Sequence, residues 1–211
     1  MYKRQVLERS VDTITLREED SMAELQKFGV KKPEILLSSD PALVLTPAPE
    51  EDAAAYLQNH GLDPNGKYLC LMLRTWYGFS DKTAAIAACA DHAYQAYGLT
   101  PVFLSLNIFH DTEAARQVTA HMKAPYHILD DSAEPELLIA ALSHMSVVVS
   151  MRLHGLIFSS LSGVPLVGVS YDPKIGSFLH YLGAGRCIGL KDVTAENLTA
   201  AVDAVSYTHL R

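Results

Sequence analysis

From Lys67 onward the chain repeats one pattern: a short apolar run, then a longer helix-compatible run closed by a turn signal. Residues 68–73 are apolar throughout, as a strand buried on both faces must be. Ser80 is expected to cap a helix over 80–97 that stops at Gly98. Strand-like runs recur at 101–106, 126–129, 147–150, 165–170 and 187–190. Between them lie helical runs over 111–122, 135–144, 154–163 and 175–182, and Thr194 is expected to cap a last one. Strands alternating with helices predict an α/β fold: a Rossmann-like parallel sheet with helices on both faces and right-handed crossovers.

The residues ahead of this repeat are too few to bury a core alone. Residues 13–16 read as a strand, 18–28 as a helix closed by Gly29, and 35–37 as another strand. Residues 44–66 read as a linker, extended at Thr46-Pro47-Ala48-Pro49 and turning at Asp63-Pro64-Asn65-Gly66, with room for a short acidic helix. The expected division is 1–43, linker 44–66, and a Rossmann-like domain over 67–205.

Composition bounds the partners. The 211 residues are 49% apolar and 19% charged, which suits a sizeable core. A formal net charge of -7 and no Lys/Arg-rich block argue against nucleic acid as a partner. Cys70, Cys89 and Cys187 are widely spaced; Cys70 in an apolar strand and Cys89 in an alanine-rich helix are expected as buried free thiols, which fits a reducing, cytoplasmic setting. No window approaches eighteen uninterrupted apolar residues, so a membrane-spanning helix is not expected, whereas peripheral membrane contact is compatible with the chain.

Ligands of open parallel sheets bind outside the carboxyl ends of the strands, at the point where strand order reverses. If the order is 3-2-1-4-5-6, that crevice lies between the first and fourth strands of the repeat. Arg74-Thr75-Trp76 then follows the first strand, Arg152-Leu153-His154 the fourth and Tyr171-Asp172-Pro173-Lys174 the fifth. Arg152 can hold an anion and His154 can move a proton near neutral pH. Each group also has a plain structural reading. Arg152 and His154 can be bonded to backbone, Lys174 can be an exposed lysine, Trp76 can cover the sheet end, and Asp172-Pro173 is a common turn pair. Arg17 opens a helix, where a cation opposes the dipole, so either a bound anion or a salt bridge is expected there. The remaining histidines show no metal-ligand spacing, with His92 and His121 expected on helix surfaces. No P-loop, Gly-x-Gly-x-x-Gly, zinc pattern or serine-hydrolase elbow is present.

Four segments taken together resemble the polysaccharide pyruvyltransferases, and most of all the CsaB-type enzymes of bacterial cell-surface polymers. They are Leu16-Arg17-Glu18-Glu19-Asp20-Ser21, Ser39-Asp40-Pro41-Ala42-Leu43, Ser150-Met151-Arg152-Leu153-His154-Gly155 and Ser170-Tyr171-Asp172-Pro173-Lys174. The resemblance implies the C-terminal half of a glycosyltransferase-B-like two-domain enzyme, with residues 1–43 as a remnant of the N-terminal Rossmann-like domain. It implies transfer of a pyruvyl group from phosphoenolpyruvate to a sugar of a lipid-linked or polymeric cell-wall precursor, giving a ketal that serves S-layer anchoring. It further implies Arg17, Arg152 and Lys174 as cations for the donor, His154 as general acid/base, Arg74 and Tyr171 as further substrate contacts, and no metal or cofactor besides the donor substrate. Work at the cytoplasmic face of the membrane would follow. Two other classes are compatible with the residues: a nucleotide-sugar glycosyltransferase of the same architecture, and an inactive anion-binding fragment. Residues 1–5 and 206–211 are expected to be non-native ends.

Overall fold

The computed structural model describes residues 2–206, which divide into two units meeting between Val44 and Leu45. In the first unit, helix α1 (Tyr2–Ser10) precedes strand β1 (Thr13–Leu16), helix α2 (Glu19–Lys27), strand β2 (Glu34–Leu37) and a 3₁₀ turn at Pro41–Val44. β1 and β2 pair in parallel, Thr13 opposite Glu34 through Leu16 opposite Leu37. Among the unit's described residues only Val30, Pro33 and Asp40 are buried. So short a βαβ piece has little apolar surface to remove from water. The helix α1 was not expected from the sequence; its Glu8 carboxylate accepts the backbone N–H groups of Lys31 and Lys32, which holds that carboxyl below its ordinary range.

The second unit begins with helix α3 (Glu50–Asn59). The repeat then follows as β3 (Tyr68–Met72), α4 (Thr83–Tyr97), β4 (Thr100–Leu104), α5 (Ile108–Thr119), β5 (His127–Leu129) and α6 (Pro135–Leu142). It continues through β6 (Val147–Ser150), α7 (Leu153–Leu161), β7 (Leu166–Ser170), α8 (Pro173–Leu182), β8 (Arg186–Gly189) and α9 (Ala195–Ser206). The six strands form one parallel sheet in the order β5-β4-β3-β6-β7-β8. This is the 3-2-1-4-5-6 order, with β3 first and β6 fourth. The reversal point therefore lies between β3 and β6, where Leu69 pairs with Val147 and Met72 with Ser150.

The period of two divides each strand between two cores. Leu69, Leu71 and Leu73 pack with Phe103, Val147, Val149, Val167 and Val169 against α4, α5 and α9. Cys70, Met72 and Val148 lie on the alternate positions, toward the face built from α3, α6, α7 and α8. Each large apolar side chain so buried contributes about 1.5–3 kcal/mol. Gly98 closes α4 with φ +67°, a left-handed conformation that side-chain-bearing residues resist. Cys70 and Cys89 are free and buried, while Cys187 is exposed.

Two local expectations need correction. Ser80 does not cap α4: residues Ser80–Lys82 form a 3₁₀ turn, and Thr83 donates its hydroxyl to the Ser80 carbonyl at 3.0 Å. α5 starts three residues earlier than expected, because Asn107 caps it and accepts from the His110 N–H. The short acidic helix expected within 44–66 is α3 of the second unit, where it packs on α6 and Ala53, Tyr56 and Leu57 form a buried stripe at helical spacing. Thr194 does cap α9, exchanging hydrogen bonds with Asn197 at 2.9 and 3.2 Å. Ser206 is the last residue of α9; the rest of the expected non-native tail, 207–211, lies outside the described residues. Among the described residues no helix is long and apolar enough to cross a membrane.

Candidate active site at the carboxyl ends of β3, β6 and β7

The β6–α7 junction is shaped by Ser150. Its hydroxyl accepts the Arg152 N–H and donates to the Arg152 carbonyl, both at 2.9 Å, and the residue is fully buried. This local clasp turns the chain from strand to helix and leaves Arg152 as the extended N-cap residue of α7. The β7–α8 junction repeats the device: Ser170 donates to the Asp172 carbonyl at 2.8 Å, and the Asp172 side chain caps α8 by accepting the Lys174 N–H at 3.0 Å.

Arg152 does not stand alone. Its Nε donates to Asp111 at 3.1 and 3.2 Å, and its Nη2 bonds Asp111 Oδ1. Asp111, on the first turn of α5, also accepts the backbone N–H groups of Leu106 and Asn107 at 3.0 and 2.9 Å. The side chains are 17% and 1% exposed, so this is a buried ion pair whose carboxylate is satisfied on several sides. It ties the loop after β4 to the loop after β6. His154 lies in the first turn of α7, exposed, with its ring 6.0 Å from that of Phe158.

Gly155 has a packing reason that the sequence did not disclose. A Cβ there would lie 2.6 Å from Ser150 Oγ and 2.7 Å from Met72 Sδ. Only glycine lets α7 approach the ends of β3 and β6 so closely.

Arg74 and Tyr171 come together across the end of β6, which separates β3 from β7 in the sheet. Arg74 Nη1 donates to Tyr171 Oη at 2.8 Å, and the guanidinium carbon lies 4.9 Å from the Trp76 ring centroid and 5.1 Å from that of Tyr171. The two rings are 4.5 Å apart. Lys174 Nζ sits 6.0 Å from the Tyr171 centroid and 3.5 Å from Asp172 Oδ2. Lys174 is half-buried rather than a freely exposed lysine.

In the first unit, Arg17 Nη1 bonds Asp40 Oδ2 at 2.8 Å, and Asp40 Oδ1 accepts the Ala42 N–H at 3.0 Å. Of the two explanations for a cation at this helix start, the salt bridge is the one observed. It joins two of the sequence motifs, Leu16 to Ser21 and Ser39 to Leu43.

Sequence reasoning singled out Arg74, Arg152, His154, Tyr171 and Lys174, and all five lie at the carboxyl ends of neighbouring strands. It did not single out Asp111, and it held Ser150 and Gly155 only as members of a motif, without a role. Asp111 had a local signal, a carboxylate following an Asn N-cap, but nothing local pointed to Arg152. Asp91, next to His92 on α4, is buried and accepts the backbone N–H groups of Lys123 and Ala124. His121 falls just beyond the end of α5 rather than within it. Among the described residues no group of three or more His, Cys, Asp or Glu side chains is placed to hold a metal ion.

The sequence matches the family described as polysaccharide pyruvyl transferase over residues 2–173, a span that ends one residue before Lys174. No curated protein sequence matches the chain. Among solved structures it is similar to the UDP-GlcNAc 2-epimerase of Methanocaldococcus jannaschii in complex with UDP-GlcNAc and UDP, with a TM-score of 0.67, 12% identity, and 92% of this chain and 54% of that one covered. It is similar to the glycosyl transferase family 9 protein of Veillonella parvula DSM 2008, with a TM-score of 0.60, 16% identity, and coverage of 91% and 60%. A third is WaaG, a glycosyltransferase involved in lipopolysaccharide biosynthesis, with a TM-score of 0.60, 11% identity, and coverage of 98% and 57%. The chain thus spans little more than half the length of these proteins, and at such identities the likeness is one of fold. That fold is the glycosyltransferase-B-like arrangement of a Rossmann-like parallel sheet flanked by helices. A match that includes the Arg17, Arg74, Arg152-Leu153-His154 and Tyr171 positions covers most of the sequence, and the chain belongs to the polysaccharide pyruvyl transferase family.

Proposed function

We propose that the protein moves a pyruvyl group from phosphoenolpyruvate to a sugar of a cell-wall polysaccharide precursor. Two sugar hydroxyl oxygens become bonded to C2 of the donor, one of their protons ends on the enol carbon C3, the bond from C2 to the phosphate oxygen breaks, and phosphate leaves with the second proton. The product is a pyruvate ketal. The observation that carries this reading is the family match over residues 2–173.

The residues suit the chemistry. Phosphoenolpyruvate carries a carboxylate and a phosphate, so it is held best by cations fixed in place. Arg152 is fixed by Asp111, Lys174 by Asp172 and Arg74 by Tyr171; Arg17, a donor cation by the family resemblance, is fixed by Asp40 within the first unit. His154 is the group whose ordinary pKa suits it to deliver a proton to C3 and accept one from a sugar hydroxyl. The reaction as written needs no metal and no cofactor besides the donor. A lipid-linked or polymeric acceptor would place the work in the cytoplasm at the inner face of the membrane, with anchoring of an S-layer as one use of the product.

The test is product analysis. The protein is incubated with phosphoenolpyruvate and a lipid-linked or polymeric cell-wall sugar acceptor, inorganic phosphate is followed, and the ketal methyl group is sought by NMR. Phosphate release that depends on the acceptor, with a ketal formed in step, is the expected result. Consumption of a nucleotide sugar in place of phosphoenolpyruvate would overturn the reading.

A further inference from the structure

Helix α3 is the first helix after the boundary at Leu45, and each of its ends meets a histidine–carboxylate pair. At its start, Glu50 Oε1 lies 3.1 Å from Nε2 of His144, which follows α6. At its end, Nε2 of the C-cap residue His60 lies 3.3 Å from Oδ2 of Asp131, just after β5. In both rings the other nitrogen is committed. His144 Nδ1 is 2.9 Å from the Pro64 carbonyl oxygen, and His60 Nδ1 is 2.8 Å from that of Tyr56. A backbone carbonyl can only accept, so each Nδ1 carries a proton. A neutral ring then presents the bare lone pair of Nε2 to a carboxylate, two acceptors with no hydrogen between them. His144 shows the consequence most clearly. Its side chain is 11% exposed, and Nε2 is buried without a hydrogen bond, the Glu50 oxygen being near enough for an ion pair but not aligned for that bond. A second proton on the ring turns each pair from repulsive to attractive.

We propose that the two pairs form a proton-dependent clasp that holds α3 to α6 and to the segment after β5, closing as pH falls and loosening as it rises. Relative to a released helix, whose histidines and carboxylates are separated in water, the clasped one favours the doubly protonated rings. Clasping is therefore strengthened as pH falls through the ordinary histidine range and lost as pH rises above it. The buried Ala53, Tyr56 and Leu57 stripe, and the Ala48 N–H donating to the Glu136 carbonyl at 2.9 Å, hold α3 at any pH, so the pairs tune an attachment that already exists. Other titratable groups stand close by. Glu51 and Asp52 share the first turn with Glu50, Tyr56 donates its hydroxyl to Asp131 Oδ1 at 2.8 Å, and the His127 ring of β5 faces Gly61. Cys70 of β3 acts on Tyr56, and burial keeps both of these protonated well beyond neutral pH.

The test is amide hydrogen exchange of the full chain, followed by mass spectrometry between about pH 5.5 and pH 8, a range that spans ordinary histidine titration. Rates are read as protection factors, which removes the intrinsic pH dependence of exchange. Protection of peptides covering Glu50–Asn59 is expected to fall about fivefold or more from the lower pH to the higher. Glu50→Gln and Asp131→Asn supply amide N–H donors that can meet a neutral Nε2, and the new Asn oxygen can still accept from Tyr56. The double variant is expected to hold α3 at pH 8 at least as firmly as the wild type, with the pH dependence gone. Lower protection at every pH in that variant would mean that the pairs are merely structural, and would overturn the clasp. Glu50→Gln alone, at an exposed side chain, serves where the double variant does not fold, and is expected to lessen the dependence. His127→Gln should leave the dependence in place; its loss there would assign the titration to that ring instead. Nitrogen-15 NMR of the histidine rings at pH 8 should show His60 and His144 protonated at Nδ1, and rings protonated at Nε2 alone would overturn the assignment. Wild-type protection that does not change with pH, or a double variant whose dependence matches that of the wild type, likewise overturns the clasp.

Discussion

Arg152 and Asp111 form a buried ion pair between the loop after β6 and the first turn of α5, and Asp111 also holds the backbone N–H groups of Leu106 and Asn107. The residue that opens the Arg-Leu-His-Gly motif is therefore a structural tie as well as a candidate donor contact. Removing one partner leaves the other charge buried and unmatched. Asp111→Ala and Arg152→Ala are each expected to lower unfolding free energy by about 3–5 kcal/mol in urea titrations. A loss below about 1 kcal/mol in both would mean that the pair does not hold the two loops. Weakened donor binding in Arg152→Ala is informative only beside this stability measurement.

Gly155→Ala places a methyl group against Ser150 Oγ and Met72 Sδ, at 2.6 and 2.7 Å. Overpacking of this kind costs about 1–3 kcal/mol. A lowered Tm is expected, and pairing the change with Met72→Ala should recover part of it. An unchanged Tm in the single variant would show that α7 can withdraw from the sheet without loss.

His154→Gln is expected to lower acceptor-dependent phosphate release about 10²–10⁴-fold, the usual contribution of a general acid/base. Since the side chain is exposed, stability should change by no more than about 0.5 kcal/mol. Full activity in the variant would remove His154 from the proton-transfer role.

Burial raises the Cys89 thiol pKa to about 12 and raises that of Cys70 further, in each case chiefly by desolvation of the thiolate. The ordinary thiol pKa is about 8.5. Between that value and about 12 the unfolded chain releases the Cys89 proton while the folded chain keeps it, so folding stability falls as pH rises through this window. Cys89→Ala should flatten the alkaline slope in denaturation curves taken from pH 8 to pH 11; an identical slope would show that other groups cause it. Alkylation at neutral pH should reach Cys187 first, because Cys70 and Cys89 are buried and Cys187 is exposed. Peptide mass spectrometry after brief iodoacetamide treatment checks the order.

Much of the fold was legible from local periodicity. The strands at Thr13–Leu16 and Val147–Ser150 fell where their apolar runs lie, and Gly98 closed its helix as its left-handed φ requires. Element starts were less legible where several residues competed to cap. Asn107 rather than Asp111 begins α5: the Asn107 side chain accepts the His110 N–H, while the Asp111 carboxylate accepts those of Leu106 and Asn107 one turn back. Within 44–66 the short acidic helix was legible, whereas the packing of its Ala53, Tyr56 and Leu57 stripe was not, because so short a stripe carries little periodicity.

The sequence by itself determined the alternation of buried strands and amphipathic helices, the class of fold that follows from it, and the polar residues that end the strands. Those are consequences of short-range geometry, in which side-chain periodicity and turn chemistry act within a few residues. Only the tertiary structure decided which cation meets which partner. Arg152 and Asp111 are 41 residues apart in sequence, and Arg74 and Tyr171 are 97 apart. Their meeting depends on the order of strands in the sheet, which brings distant strand ends to one edge. The same order left Arg74 with two aromatic rings and no carboxylate among the described residues.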